Sequence, residues 1–104
     1  MKRKKALEEL IEKVGAGGPI LHPLPEWWST KDWVNCVEAF HGSLDAAKAL
    51  HEAVLPGWGW DISCMEVARV WDLKYKGYAI QASAKCPARA WLLAILHALR
   101  AMEH

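Results

Sequence analysis

"LHEAVLPGWGWDI", residues 50–62, decides how the rest of the chain is read. Through Val54 the apolar residues recur at helical spacing. After Pro56-Gly57 they alternate, with Trp58, Trp60 and Ile62 set against Gly59 and Asp61. A period of about 3.6 residues gives way to a period of 2, the signature of a helix followed by a strand. Pro56 cannot continue a helix, and Gly57 tolerates the backbone that closes one. Trp58 and Trp60 then share one face of the strand, where each can bury a large area. The expectation is that both are core. The competing reading places one of them on an outer face as a binding patch.

Upstream, Ser43 suits the N-cap of a helix over 44–54. Leu44, Ala47, Leu50 and Val54 would form its inner stripe, with Asp45, Lys48 and Glu52 in water. Residues 30–41 read either as extended chain or as a short helix capped by Thr30, with Trp33, Val34, Val37 and Phe40 on one side. Before them, "PILHPLPEWW" (19–28) carries prolines that forbid helix and central strand alike, so it reads as an extended arm too apolar to hang free. Residues 3–14 read as a helix, with Ala6, Leu7, Leu10, Ile11 and Val14 inward and Lys4–Glu8 and Glu9–Lys13 as i,i+4 pairs. "GAGGP" (15–19) stops it.

Downstream, a second strand is expected near Val67–Leu73 and a third from about Tyr78 to Ser83. "KYKG" (74–77) turns between them, with Gly77 supplying positive φ. Pro87 fits a first helical position. In the helix "PARAWLLAILHALRAM", Ala88, Trp91, Leu92, Ile95, Leu99 and Met102 point inward. Arg89, Leu93, His97, Arg100 and His104 recur on the opposite side, where Leu93 is the one large apolar group.

The fold class is therefore α+β in a single domain, residues 1–104. Residues 44–104 form an α-β-β-β-α unit, with helices 44–54 and 87–102 on one face of a three-stranded antiparallel sheet. Residues 1–43 supply the N-terminal helix, the Pro/Trp-rich arm and the short helix. The second sheet face needs water, a partner or a third layer. The N-terminal helix and arm are the available cover, which would give an α/β/α sandwich.

Composition narrows the function. The formal charge of +1 disfavours a polyanion mimic and gives no broad attraction to nucleic acid. Seven Trp against one Phe and two Tyr are more bulk than so small a chain can hide, so some must sit partly exposed. Cys36, Cys64 and Cys86 form no CxxC pair, and the charged N-terminus is not followed by an apolar run, so reduced thiols in the cytoplasm are expected. No apolar run approaches a membrane span.

Chemistry is sparse. His22, His41, His51, His97 and His104 are scattered and share no ligand spacing with the cysteines. A Cys/His nucleophile pair built on Cys36 or Cys86 has nothing in sequence to orient it. "GAGGP" lacks the strand and the Lys-Ser/Thr of a phosphate loop. Glu8, Glu9 and Glu12 are a solvated helix face. No catalytic residue, metal or cofactor is expected.

"GSLDAAKALHEAVLPGWGWDI" (42–62), followed by "ARVW" (68–71) and "CPARAWLLAILHALRA" (86–101), resembles the phage ABA sandwich domain family of small phage and prophage proteins. The likeness spans about residues 40–104 and departs at residues 19–38. It implies a sandwich fold and action inside a bacterial host cell, and it carries over no activity and no catalytic residue.

Two binding classes follow. A protein-binding module would use Trp27 and Trp28 of the arm and the Leu93, His97 and Arg100 stripe; its partner would be a host protein or protein complex, as for a counter-defence inhibitor of the anti-CRISPR kind. A homodimer through the same stripe is compatible with the pattern. The alternatives are a virion or packaging accessory factor and a nucleic-acid module. The latter's α-β-β-β-α order is similar to that of double-stranded-RNA-binding domains, with Lys74 and Lys76 in a turn and Lys85 and Arg89 at the last helix start.

Overall fold

The computed structural model describes residues 2–17, 28–63, 66–72 and 79–102. The elements run α1 (Lys2–Gly15), α2 (Thr30–Phe40), α3 (Leu44–Val54), β1 (Trp58–Ser63), β2 (Val67–Asp72), β3 (Ala79–Ser83) and α4 (Pro87–Met102). Strand order is β1-β2-β3, antiparallel throughout. The α+β class and the three-stranded meander are as expected from the sequence. The expected positions at Leu73, Tyr78 and Gly77, and the arm through Trp27, lie outside the described residues.

Local chemistry sets the boundaries. Residues 30–41, left open between helix and extended chain, are helical as α2. Its cap is Ser29, whose Oγ accepts from the Asp32 N–H at 3.1 Å, so Thr30 is the first helical residue and not the cap. Ser43 caps α3 as expected, accepting from the Ala46 N–H at 3.1 Å. Leu55-Pro56-Gly57-Trp58 then forms a tight turn: the Trp58 N–H donates to the Leu55 carbonyl at 3.1 Å, and Gly57 has φ 83°. Pro before a positive-φ Gly is the composition of a type II turn. This turn is what converts helix into strand.

The layers differ from the expected arrangement. α4 lies on β2 and β3, and α1, α2 and α3 pack in turn on α4. α1 therefore supplies a third layer next to α4 and not on the outer sheet face, with its Leu7, Leu10 and Val14 buried. The outer sheet face meets none of the described helices. It carries Gly59, Asp61, Ser63, Arg69, Trp71 and Gln81 by strand alternation. Gly59 is required there, since the Trp71 indole lies over it and a Cβ would overlap the ring.

Enclosure by several elements buries α4 almost all round: Ala88, Ala90, Trp91 to Leu96 and Ala98 are all buried. Leu93, expected on a polar outer stripe, is 7% exposed. Met102, expected inward, is exposed at the helix end. The inner faces of two other helices are also turned from the expected phase. Leu44 of α3 is 43% exposed, and Ala46, Ala47, Leu50 and His51 face inward. Val34 of α2 is exposed, while Trp33, Cys36, Ala39 and Phe40 are buried. Both helices bury the side nearest α4 and each other, a choice that periodicity alone does not fix.

Candidate binding surface

The residues singled out in sequence do not assemble into one surface. Trp27, Lys74, Lys76 and His104 lie outside the described residues. Trp28 is buried, so it offers no contact area, and its indole N–H finds no acceptor among the described residues. Lys85 is exposed. The stripe Arg89, Leu93, His97 and Arg100 is a contact surface, but for this chain's own helices. The Arg89 guanidinium donates to the Phe40 carbonyl from Nε (3.2 Å) and Nη2 (3.0 Å) and lies 4.3 Å from the Phe40 ring centre, so it caps the end of α2. Arg100 pairs with Glu8 of α1 at 2.8 Å, and this bond holds the Glu8 carboxyl below its usual range. His97 is half-buried, and burial, followed by the nearby Arg100 charge, lowers its pKa.

What emerges instead is an aromatic step at the junction of α3, β1 and α4. His51, 2% exposed, stands between two partners. The Trp91 indole Nε1 donates to His51 Nδ1 at 3.2 Å, and His51 Nε2 lies 3.0 Å from the Trp58 carbonyl. Indole is a donor only and a carbonyl an acceptor only, so the ring is neutral with its proton on Nε2. Burial lowers the His51 pKa, while the Trp58 bond and the Glu52 charge pull the other way. Trp60 stacks on Trp91 with ring centres 4.3 Å apart and planes inclined by 31°. Trp60 is nevertheless 42% exposed, which corrects the expectation that it is core: among the described residues β1 has a neighbouring strand on one side only. The competing reading, a tryptophan on the outer face, does not describe it either, because the Trp60 indole lies on the helix-side face against Trp91.

On the outer sheet face, Arg69 Nη2 donates to Asp61 Oδ2 at 2.7 Å, and Ser63 Oγ donates to Asp61 Oδ1 at 3.3 Å. Register pairs Asp61 directly with Arg69. This ion pair was legible in principle from the strand pattern, since Asp61 and Arg69 sit at matching parity across a short hairpin. His51 was legible too, lying one turn beyond the buried Ala47.

Among the described residues no three His, Cys, Asp or Glu side chains come together as metal ligands would. Burial pushes the Cys36 thiol up to about 12, which keeps it protonated and a poor nucleophile. Cys86 is half-exposed beside Gly42. Among the described residues no helix is long and apolar enough to cross a membrane.

The fold and site thus define a small α+β domain in which, among the described residues, one sheet face carries no packed helix and a partly exposed tryptophan stands on β1. Comparisons with protein-family models, curated proteins and solved structures found no match.

Proposed function

We propose that the chain is a non-enzymatic binding module that engages a partner protein at the β1 edge, around Trp60. The observation that carries this reading is Trp60, 42% exposed yet stacked on the buried Trp91. A pre-ordered aromatic loses little rotamer freedom on binding and is the residue type most enriched at interface hot spots. The resemblance noted from sequence makes the partner a host protein of a bacterial cell and the role that of a phage or prophage accessory factor, with counter-defence of the anti-CRISPR kind as its specific form. The nucleic-acid alternative needs Arg89 at the start of the last helix, and that guanidinium is occupied by the Phe40 carbonyl.

Affinity capture of the tagged chain from nuclease-treated bacterial lysate tests the reading. A stoichiometric protein band is expected, and it should be lost with Trp60→Ala and kept with Lys85→Ala. Capture that disappears on nuclease treatment sinks it in favour of nucleic acid.

A further inference from the structure

The backbone of β1 says what kind of segment fits beside Trp60. In a strand, each residue points its N–H and C=O to the same side, and the side alternates. Trp58 donates its N–H to the Leu55 carbonyl at 3.1 Å and accepts at its own carbonyl from His51 at 3.0 Å. Both groups are used by the α3 side and turn away from β2. Trp58↔Asp72 is thus a pair without ladder bonds, and alternation makes Gly59↔Trp71 and Asp61↔Arg69 the bonded pairs. Trp60 and Ile62 therefore point their N–H and C=O outward from the sheet. β1 is the first strand of three, and no described residue pairs with this side of it. α3 closes the first outward position, and no described residue takes the next two.

An open run of backbone donors and acceptors is matched by another extended backbone. The other edge, β3, has no exposed large apolar side chain to anchor one, whereas β1 has Trp60. A second copy of this chain fits poorly. Two-fold antiparallel pairing that uses both open residues sets Trp60 against Ile62 and places Asp61 directly opposite itself, and like charges in that position are destabilising. The Asp61 side chain is 38% exposed, and its carboxylate keeps acceptor capacity beyond Arg69 and Ser63.

We propose that the Trp60–Ile62 edge of β1 accepts an extended segment of a partner protein as a fourth strand, with apolar side chains opposite Trp60 and Ile62 and a basic one opposite Asp61. This rests on the binding reading above and names its partner's chemistry.

The test uses the full chain and three capped heptapeptides as probes: one with a central Val-Lys-Val, one with Val-Glu-Val, and the first with its central backbone amides N-methylated. Amide hydrogen exchange followed by NMR is the readout. In the free protein, Trp60 and Ile62 should exchange fast while Gly59 and Asp61 are protected. The lysine peptide should slow Trp60 and Ile62. The glutamate peptide should bind several-fold more weakly, about fivefold, and the N-methylated one not at all. Asp61→Lys should reverse the order of the charged peptides.

Protection of Trp60 and Ile62 at every protein concentration overturns the proposal, because this chain then fills its own edge. Protection that grows with concentration overturns it in favour of a second copy. Equal binding of the lysine and glutamate peptides removes the role of Asp61. A lysate partner that depends on Trp60 yet leaves Ile62 exchange unchanged in the complex overturns the strand and leaves the binding reading standing. A partner indifferent to Trp60→Ala removes both.

Discussion

Trp91 and Trp60 pack ring against tilted ring, yet the first is 2% exposed and the second 42%. They belong to regions built differently. Trp91 lies on α4, which has the sheet on one side and three helices around the rest. Trp60 lies on β1, which has one neighbouring strand and one face covered. The residue type is the same in both places, so burial here follows from how many elements surround the residue's own. The helical half carries the core. Of the described strand residues only Ala68, Val70 and Ala82 are buried, so the sheet contributes little to the core.

The strongest way to break this contrast is Leu93→Glu. Removing a buried leucine costs about 2–5 kcal/mol, and an unpaired buried carboxylate adds several more. The loss is comparable with the whole stability of a small domain, about 5–15 kcal/mol. Circular dichroism should show an unfolded or collapsed chain. A folded variant would place Leu93 on the outside after all.

His51→Ala comes next, since it acts at the joint between the two regions. It leaves the Trp91 N–H and the Trp58 carbonyl without partners and opens a cavity, for an expected loss of about 3 kcal/mol in urea denaturation. The same joint is sensitive to pH. Burial lowers the His51 pKa from its ordinary 6.5, so the folded state binds fewer protons than the unfolded one. The stabilising contribution is complete above about pH 6.5 and declines as pH falls below it toward the folded value. His97, also lowered, acts in the same direction. The melting temperature should therefore drop between pH 7.5 and 5.5, and drop less in His51→Gln, which has no group titrating in that range. Equal slopes would mean that His51 is not the proton-sensitive joint.

Trp60→Ala should cost far less than a core tryptophan, about 1–2 kcal/mol from its stack and partial burial. A loss near the about 3–5 kcal/mol of a buried aromatic would erase the distinction between the two tryptophans. Smallest of all is Asp61→Ala, which removes a half-exposed ion pair worth about 0.2–1 kcal/mol. It should leave the urea midpoint nearly unchanged.

Much of the fold was legible in the chain because its signals are local. Ser43 offers a hydroxyl to a free N–H three residues on. Pro56-Gly57 permits the turn that ends α3, and Pro87 starts α4 where its missing N–H costs nothing. The alternation of Trp58, Trp60 and Ile62 fixed a strand and its parity, and the register follows from that parity and the short connection. These choices depend on backbone dihedrals and caps within a few residues.

Which faces would be covered was not written locally. Arg89, His97 and Arg100 looked like a solvated stripe because charged groups usually face water. Here Arg89 reaches across to the Phe40 carbonyl and Arg100 to Glu8, His97 is half-buried, and Leu93 between them is buried among the packed helices. The tilt of α3 that exposes Leu44 and buries His51 depends on where α4 lies, and α4 is more than thirty residues further along the chain. The exposure of Trp60 depends on β1 having, among the described residues, a strand on one side only. The sequence by itself determined the elements, their order and the antiparallel sheet, since those follow from short-range periodicity and capping. Only the tertiary structure decided the layering, the neutral His51 between two tryptophans and the open edge at Trp60, because burial is a property of the neighbours and the neighbours are distant in the chain.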